Sequence, residues 1–149
     1  MEVRPSSDEE LGVWLDVVVE GDLHPDTQGV AAHEEFAREV LVSAERDLAA
    51  VPGVRRYVAL HEGVIAGGAS WHMADGIAQF TGAATAPAHR RWGVQAALLS
   101  ARLADAAAVG CDVAVVTTQP GSKSQQNAQR RGFDLLYTRA VLVKGAGDE

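Results

Sequence analysis

Two turn dipeptides, Glu62-Gly63 and Asp75-Gly76, constrain this chain more than any other feature. Each pairs a residue that tolerates the left-handed region with a glycine, the combination that lets a strand reverse in two residues. They divide the middle of the chain into Arg56 to His61, Val64 to Met73 and Ile77 to Thr85, runs rich in β-formers. Strands joined by such short turns lie side by side and antiparallel, so the spacing predicts a three-stranded meander.

Helical patterns flank this meander. Ser7-Asp8-Glu9-Glu10 has the serine-to-glutamate spacing of a capping box after a short strand at Glu2 to Arg4, and predicts a helix running through Val19. A Gly-, Asp- and Pro-containing loop, 20 to 28, leads to a second helix from about Ala31 to Ala50, stopped by Pro52-Gly53. Beyond the meander, Val94 to Val109 is apolar on most faces and Gly110 ends it. Asp112 to Thr118 is a β-branched run, Ser122 to Arg131 a short polar helix, and Leu135 to Val143 a closing strand. The order β-α-α-β-β-β-α-β-α-β describes one α/β domain over 1–149, with a mostly antiparallel central sheet flanked by helices and a β-α-β unit.

The single cysteine, Cys111, excludes a disulfide framework, and the five histidines, at 24, 33, 61, 72 and 89, have no metal-ligand spacing, so no metal is expected. No apolar run is long enough to span a membrane and the start lacks signal-peptide features, so a cytoplasmic protein is expected. A formal charge of −7 argues against nucleic acid as a partner. The charge is unevenly spread: from Asp8 to Asp47 there are twelve acids and two bases, from Arg90 to Lys144 three acids and eight bases. Either these are ordinary solvated faces, or one end receives an anion and the other a cation.

The passage from the third meander strand into the next helix favours the second reading. Pro87-Ala88-His89-Arg90-Arg91-Trp92-Gly93 places three basic side chains and a glycine where a helix begins. The first turn of a helix has amides without intrahelical partners and the positive end of the helix dipole, and a glycine lets an anion approach the backbone. A diphosphate suits such a site, although surface arginines at a helix start are common.

Arg90-Arg91-Trp92-Gly93-Val94-Gln95, followed by Ala96-Ala97-Leu98-Leu99, resembles the acyl-CoA-binding motif of the GCN5-related N-acetyltransferases (GNAT), and Ser124 to Phe133 resembles their second CoA-contacting helix with its closing Gly-Phe. The resemblance extends in order and spacing from Val3 to Val143. It implies a GNAT-like sheet with acetyl-CoA (coenzyme A) as co-substrate. Its pyrophosphate would lie at Arg91, Trp92, Gly93, Val94, Gln95 and Ala96, with Arg90 close by. Its pantetheine arm would lie between the strands ending at Thr85 and Thr118, against backbone at Ala83 and Thr85. Ser124, Asn127, Arg130 and Arg131 would meet it from the second helix.

The chain departs from the family pattern in three places. Gln95 stands where Gly or Ala is usual, Ala128 where a tyrosine commonly reprotonates the departing thiolate, and Ile77 to Thr85 has no acid to serve as base. His72 is then the candidate base on the neighbouring strand, with Glu34 and Glu35 of the second helix as alternatives; Ser124 and Tyr137 are the candidate acids, and Glu34 and Glu35 are also the candidate acceptor-binding residues. The expected activity is acetyl transfer to a primary amine by direct attack in a ternary complex, on an acceptor that the acidic half makes cationic. The alternative is a non-catalytic acyl-CoA-binding or regulatory module on the same fold. A homodimer is compatible with either.

Overall fold

In the computed structural model, which describes residues 1–25, 36–142 and 144–146, five strands form one sheet in the order β1-β2-β3-β4-β5. They are β1 (Glu2–Pro5), β2 (Arg55–His61), β3 (Val64–Ala74), β4 (Ile77–Thr85) and β5 (Val113–Val116). The first four pair antiparallel and β4 with β5 parallel. Both predicted hairpins form: Glu62, Gly63, Asp75 and Gly76 all have positive φ, as two-residue primed turns require.

The helices α1 (Leu11–Leu23), α2 (Arg38–Ala49), α3 (Val94–Ala108) and α4 (Lys123–Arg130) divide between the two faces. Helix α1 lays Trp14, Leu15 and Val18 on one face with Val58 and Ala84, and α2 packs on α1. On the other face α3 places Val94, Leu98, Leu99 and Ala106 against Tyr57, Ala69, Trp71 and Phe80. A 3₁₀ turn, Asp8–Glu10, holds the capping box at Ser7, and Arg4 clasps Glu10 through two 2.8 Å bonds. That contact keeps the Glu10 carboxyl at about 2, well below the ordinary range.

Helix α1 continues to Leu23, four residues beyond the expected end at Val19, because Val19 and Gly21 are buried against the sheet and tertiary packing outweighs the loop-like composition. Helix α2 begins at Arg38 among the described residues; the earlier part of the expected helix, 31 to 35, lies outside them. The expected closing strand is not formed: 135 to 142 is irregular, and Leu136 and Leu142 are exposed. A strand exists only through its partners, and this segment pairs with none of the five strands despite its β-forming residues.

Glycines set how closely the layers approach. A Cβ at Gly67 would lie 2.6 Å from Val94 Cγ1 and 2.9 Å from the Ala84 carbonyl oxygen, so α3 can seat its first turn on β3 only because that side chain is missing. Gly67→Ala is therefore expected to destabilise the fold by about 1–3 kcal/mol, the range for overpacking a core. Urea unfolding monitored by circular dichroism measures it; the same substitution at Gly63 is no control, since its positive φ is strained by any Cβ.

Candidate active site

The site is built around an irregularity in β4. Ser70 pairs with Thr81 and Gly68 with Ala84, so β4 spends three steps where β3 spends two, a bulge at Gly82 and Ala83. A bulge disrupts the local ladder, and a buried cation serves the carbonyls beside it. Arg102 of α3, 2% exposed, donates from Nη1 to the carbonyl oxygens of Ser70 (3.1 Å) and Thr81 (3.2 Å), with its guanidinium 4.6 Å from the Phe80 ring centre. Burial pulls its pKa down to about 10, so it remains charged at neutral pH.

Beyond this point the sheet opens. The β4–β5 ladder ends at Phe80 and Val116, while β4 runs on to Thr85 with its outer edge unpaired. A groove of about 890 Å³ occupies the gap, with Ala83, Ala84 and Thr85 on one wall and Thr117, Thr118 and Gln119 on the other. It leads to the start of α3, where Gly93, at φ 81°, is the N-cap. Arg90 anchors this approach through a 3.1 Å bond from Nη2 to the Gly21 carbonyl oxygen, tying it to the end of α1. Arg91 takes a positive φ of 65°, an uncommon conformation for a side-chain-bearing residue.

Helix α4 closes the far side. Ser122 caps it, accepting from the Gln125 amide at 3.1 Å. Its other end is a Schellman turn: Gly132 has φ 92° and donates to the Gln129 carbonyl, and Phe133 donates to that of Ala128. Phe133 then packs on Phe80, 6.2 Å between ring centres, which fixes α4 against the bulged strand. The Gly-Phe pair read from the sequence is this anchor.

Of the residues expected to meet a cofactor, Ala83, Thr85, Arg90, Arg91, Gly93, Val94, Gln95, Ala96, Ser124, Asn127, Arg130 and Arg131 all line the groove. Trp92 does not. It is 64% exposed and stacks on His61, 5.2 Å between ring centres, while His61 and His89 meet through their Nδ1 atoms at 3.1 Å. Basic side chains and helix-start amides on the groove wall suit a polyphosphate, and the unpaired β4 edge offers backbone groups to an amide-bearing chain. The residues present therefore fit CoA.

The expected catalytic residues are dispersed. Ser124 lines the groove and also a smaller cavity of about 130 Å³ at the bulge, together with Gly82, Asn127 and Ala128. His72, on β3, pairs with Gln79 of β4 and has a buried Nδ1 with no hydrogen-bond partner among the described residues. Tyr137, 68% exposed, lies in the irregular segment and does not line the groove. Glu34 and Glu35 lie outside the described residues.

Three groups at the site were not singled out from the sequence: Asp22, Glu45 and Arg102. Asp22 was assigned to a loop and lines the groove from the last turn of α1. Burial and the nearby Glu45 charge push its carboxyl up to about 7, and burial raises that of Glu45 too. The sequence signal was Gly82, since a glycine inside a strand marks a bulge or a close approach.

The comparisons agree with this geometry. The family model described as "Acetyltransferase (GNAT) family" matches residues 21–133. Solved structures with the same fold include the aminoglycoside N-acetyltransferase AAC(6')-Iy in complex with a bisubstrate analogue (TM-score 0.68, 19% identity, 97% of this chain and 98% of that one). They also include a Trypanosoma brucei acetyltransferase (TM-score 0.67, 19% identity, 96% and 99%). A third is a predicted acetyltransferase from Clostridium acetobutylicum with acetyl-CoA (TM-score 0.66, 12% identity, 95% and 95%). No curated protein matches the sequence. With the family model covering the bulged strand, the groove and both of its helices, the chain belongs to the acetyltransferase (GNAT) family.

Proposed function

We propose that this protein transfers the acetyl group of acetyl-CoA to a primary amine on a cationic acceptor, by direct attack within a ternary complex. The observation that carries this reading is the groove where β4 and β5 part, which runs to the start of α3. Acetyl-CoA supplies an activated acyl group; the chain's part is to hold and orient it. The α3 amides beside Gly93, together with Arg90, Arg130 and Arg131, would bind the phosphates, and the free β4 edge near Ala83 and Thr85 would align the pantetheine amides. The amine nitrogen then bonds to the thioester carbon, the C–S bond breaks, and the sulfur takes a proton. Of the expected acids, Ser124 lines both groove and cavity and Tyr137 lines neither, while Ala128 has no hydroxyl to serve.

CoA binding is expected to raise the melting temperature, as any ligand selective for the native state does. Gly93→Asp should abolish the rise by setting a carboxylate at the anion site; a shift equal to wild type in that variant would dismiss this phosphate site.

The layout of charges supports a cationic acceptor. The acidic helices α1 and α2 cover one face of the sheet, while Arg90, Arg91, Lys123, Arg130 and Arg131 line the groove. Opposite potentials at two entrances raise the encounter rate of each substrate with its own side. In a thiol-release assay over an amine panel, polyamines and amino sugars should have the higher kcat/KM, and their advantage should shrink in high salt, where exposed charges are screened. Equal turnover of acidic amino acids would contradict the assignment, and CoA binding with no thiol release for any amine in the panel would return the alternative, a non-catalytic acyl-CoA-binding module.

A further inference from the structure

A carboxylate oxygen is hidden against the bulge without a partner. Glu45 of α2 has Oε2 out of contact with solvent and with no hydrogen bond. A Cβ built on Gly82 would lie 2.7 Å from that oxygen and 3.4 Å from Ser70 Oγ, so the carboxylate rests on the strand where the glycine leaves room. The nearby hydroxyls satisfy each other, Ser70 Oγ to Thr81 Oγ1 at 2.8 Å. A buried polar atom without a partner is costly and calls for an explanation.

Among the described residues, no cation on the surrounding elements supplies one. Arg38 reaches Glu20 and Asp16 across the α1–α2 interface. Arg102 approaches from the opposite face of the sheet and bonds backbone carbonyls. The ionisable groups on the elements packed here are Asp16, Glu20 and Asp22 on α1 and His72 on β3; β4 has none. Asp22 lies on the groove wall beside the same stretch of β4. One carboxylate thus sits on the bulge and another at the groove, on the side of the sheet that α1 and α2 cover.

We propose that Glu45 is the base that takes a proton from the acceptor's ammonium group, and that Asp22 receives the incoming cation at the groove. This rests on the acetyl-transfer reading above. The ammonium gives one proton to the Glu45 carboxylate and becomes a free amine with a lone pair. Its nitrogen bonds to the thioester carbon, the C–S bond breaks, and a second nitrogen proton passes to the sulfur. Glu45 then releases its proton to solvent, so the products are an amide, the CoA thiol and one proton. Burial raises both carboxyls, and the Glu45 charge raises that of Asp22 further; a carboxylate held above its ordinary range accepts a proton more readily than a solvated one. The role falls to α2 because β4 has glycine, not an acid, at the bulge.

The test combines Glu45→Gln, Gly82→Ala and Asp22→Asn in the full chain, with spermidine as probe amine and acetyl-CoA as donor. Glu45→Gln should lower kcat by about 10²–10⁴-fold and flatten the rise in rate with pH expected of wild type as this carboxyl ionises. Gly82→Ala should have a similar effect by displacing the carboxylate, and Asp22→Asn should act mainly on KM. An unchanged CoA-induced melting shift in Glu45→Gln, whose residue does not line the groove, certifies the fold and separates this proposal from the cofactor site. Stability gives an independent readout: a carboxyl raised by folding favours the protonated native state, so wild type loses stability as pH rises from the unfolded value near 4.5 through the folded one. Glu45→Gln should therefore melt higher than wild type at pH 8 and gain less at pH 5. Wild-type kcat and pH profile in Glu45→Gln, with the CoA shift intact, would overturn the role of Glu45 alone. Failure of wild type to acetylate any amine would instead overturn the acetyl-transfer reading and this proposal with it.

Discussion

The hold of Arg102 on the carbonyls of Ser70 and Thr81 is the interaction on which the site depends. A bulge leaves a ladder locally disrupted, and inside a protein those backbone groups need partners. A neutral donor could serve one carbonyl; the guanidinium serves both strands and keeps an aromatic face, Phe80, beneath it. Its bonds all go to backbone carbonyls, so a positive charge is held buried beside the bulged strand. The same strand then turns its edge away from β5, and the groove follows.

The groove's other half is a matter of helix ends. Helix α3 starts at a left-handed glycine, and α4 ends at one, with Phe133 packed on Phe80. Both helices are thereby referenced to β4, the bulged strand, and to each other. Helix α1 joins through Arg90, whose bond to the Gly21 carbonyl links the basic approach of α3 to the acidic layer. Gly21 also permits the contact, since a Cβ there would lie 2.6 Å from that of Ala84. The start of α3 and the end of α1 are thus tied together at one edge of the sheet.

Across the acidic layer, the charges fall into two kinds. Asp16 and Glu20 are engaged by Arg38, which joins α1 to α2. Pairs of this exposed sort contribute little stability and mainly fix orientation. Asp22 and Glu45 are enclosed, raised in pKa and without a cation among the described contacts. A count of acidic residues along the chain treats all four alike; only their surroundings separate solvated charge from charge placed against the bulge.

The sequence by itself determined the meander, the two hairpin turns, the β-α-β unit and the helix start at Gly93. Each rests on local chemistry: positive φ at a turn, apolar periodicity, a helix whose first amides are free. The residues of α3 and α4 that line the groove came from the resemblance to the family motif, which could be laid on them because they lie on contiguous elements with recognisable ends. The sequence overreached at 135 to 142, where β-forming side chains are necessary for a strand and a pairing partner decides. Ser124 and Tyr137 were equal candidates on residue type, and the fold brings only Ser124 to the groove. Glu45 and Arg102 had no motif to announce them. They come from helices on opposite faces of the sheet, 57 positions apart, and meet the same strand only because the bulge at Gly82 draws both, a juxtaposition that burial and packing create and that no local spacing encodes.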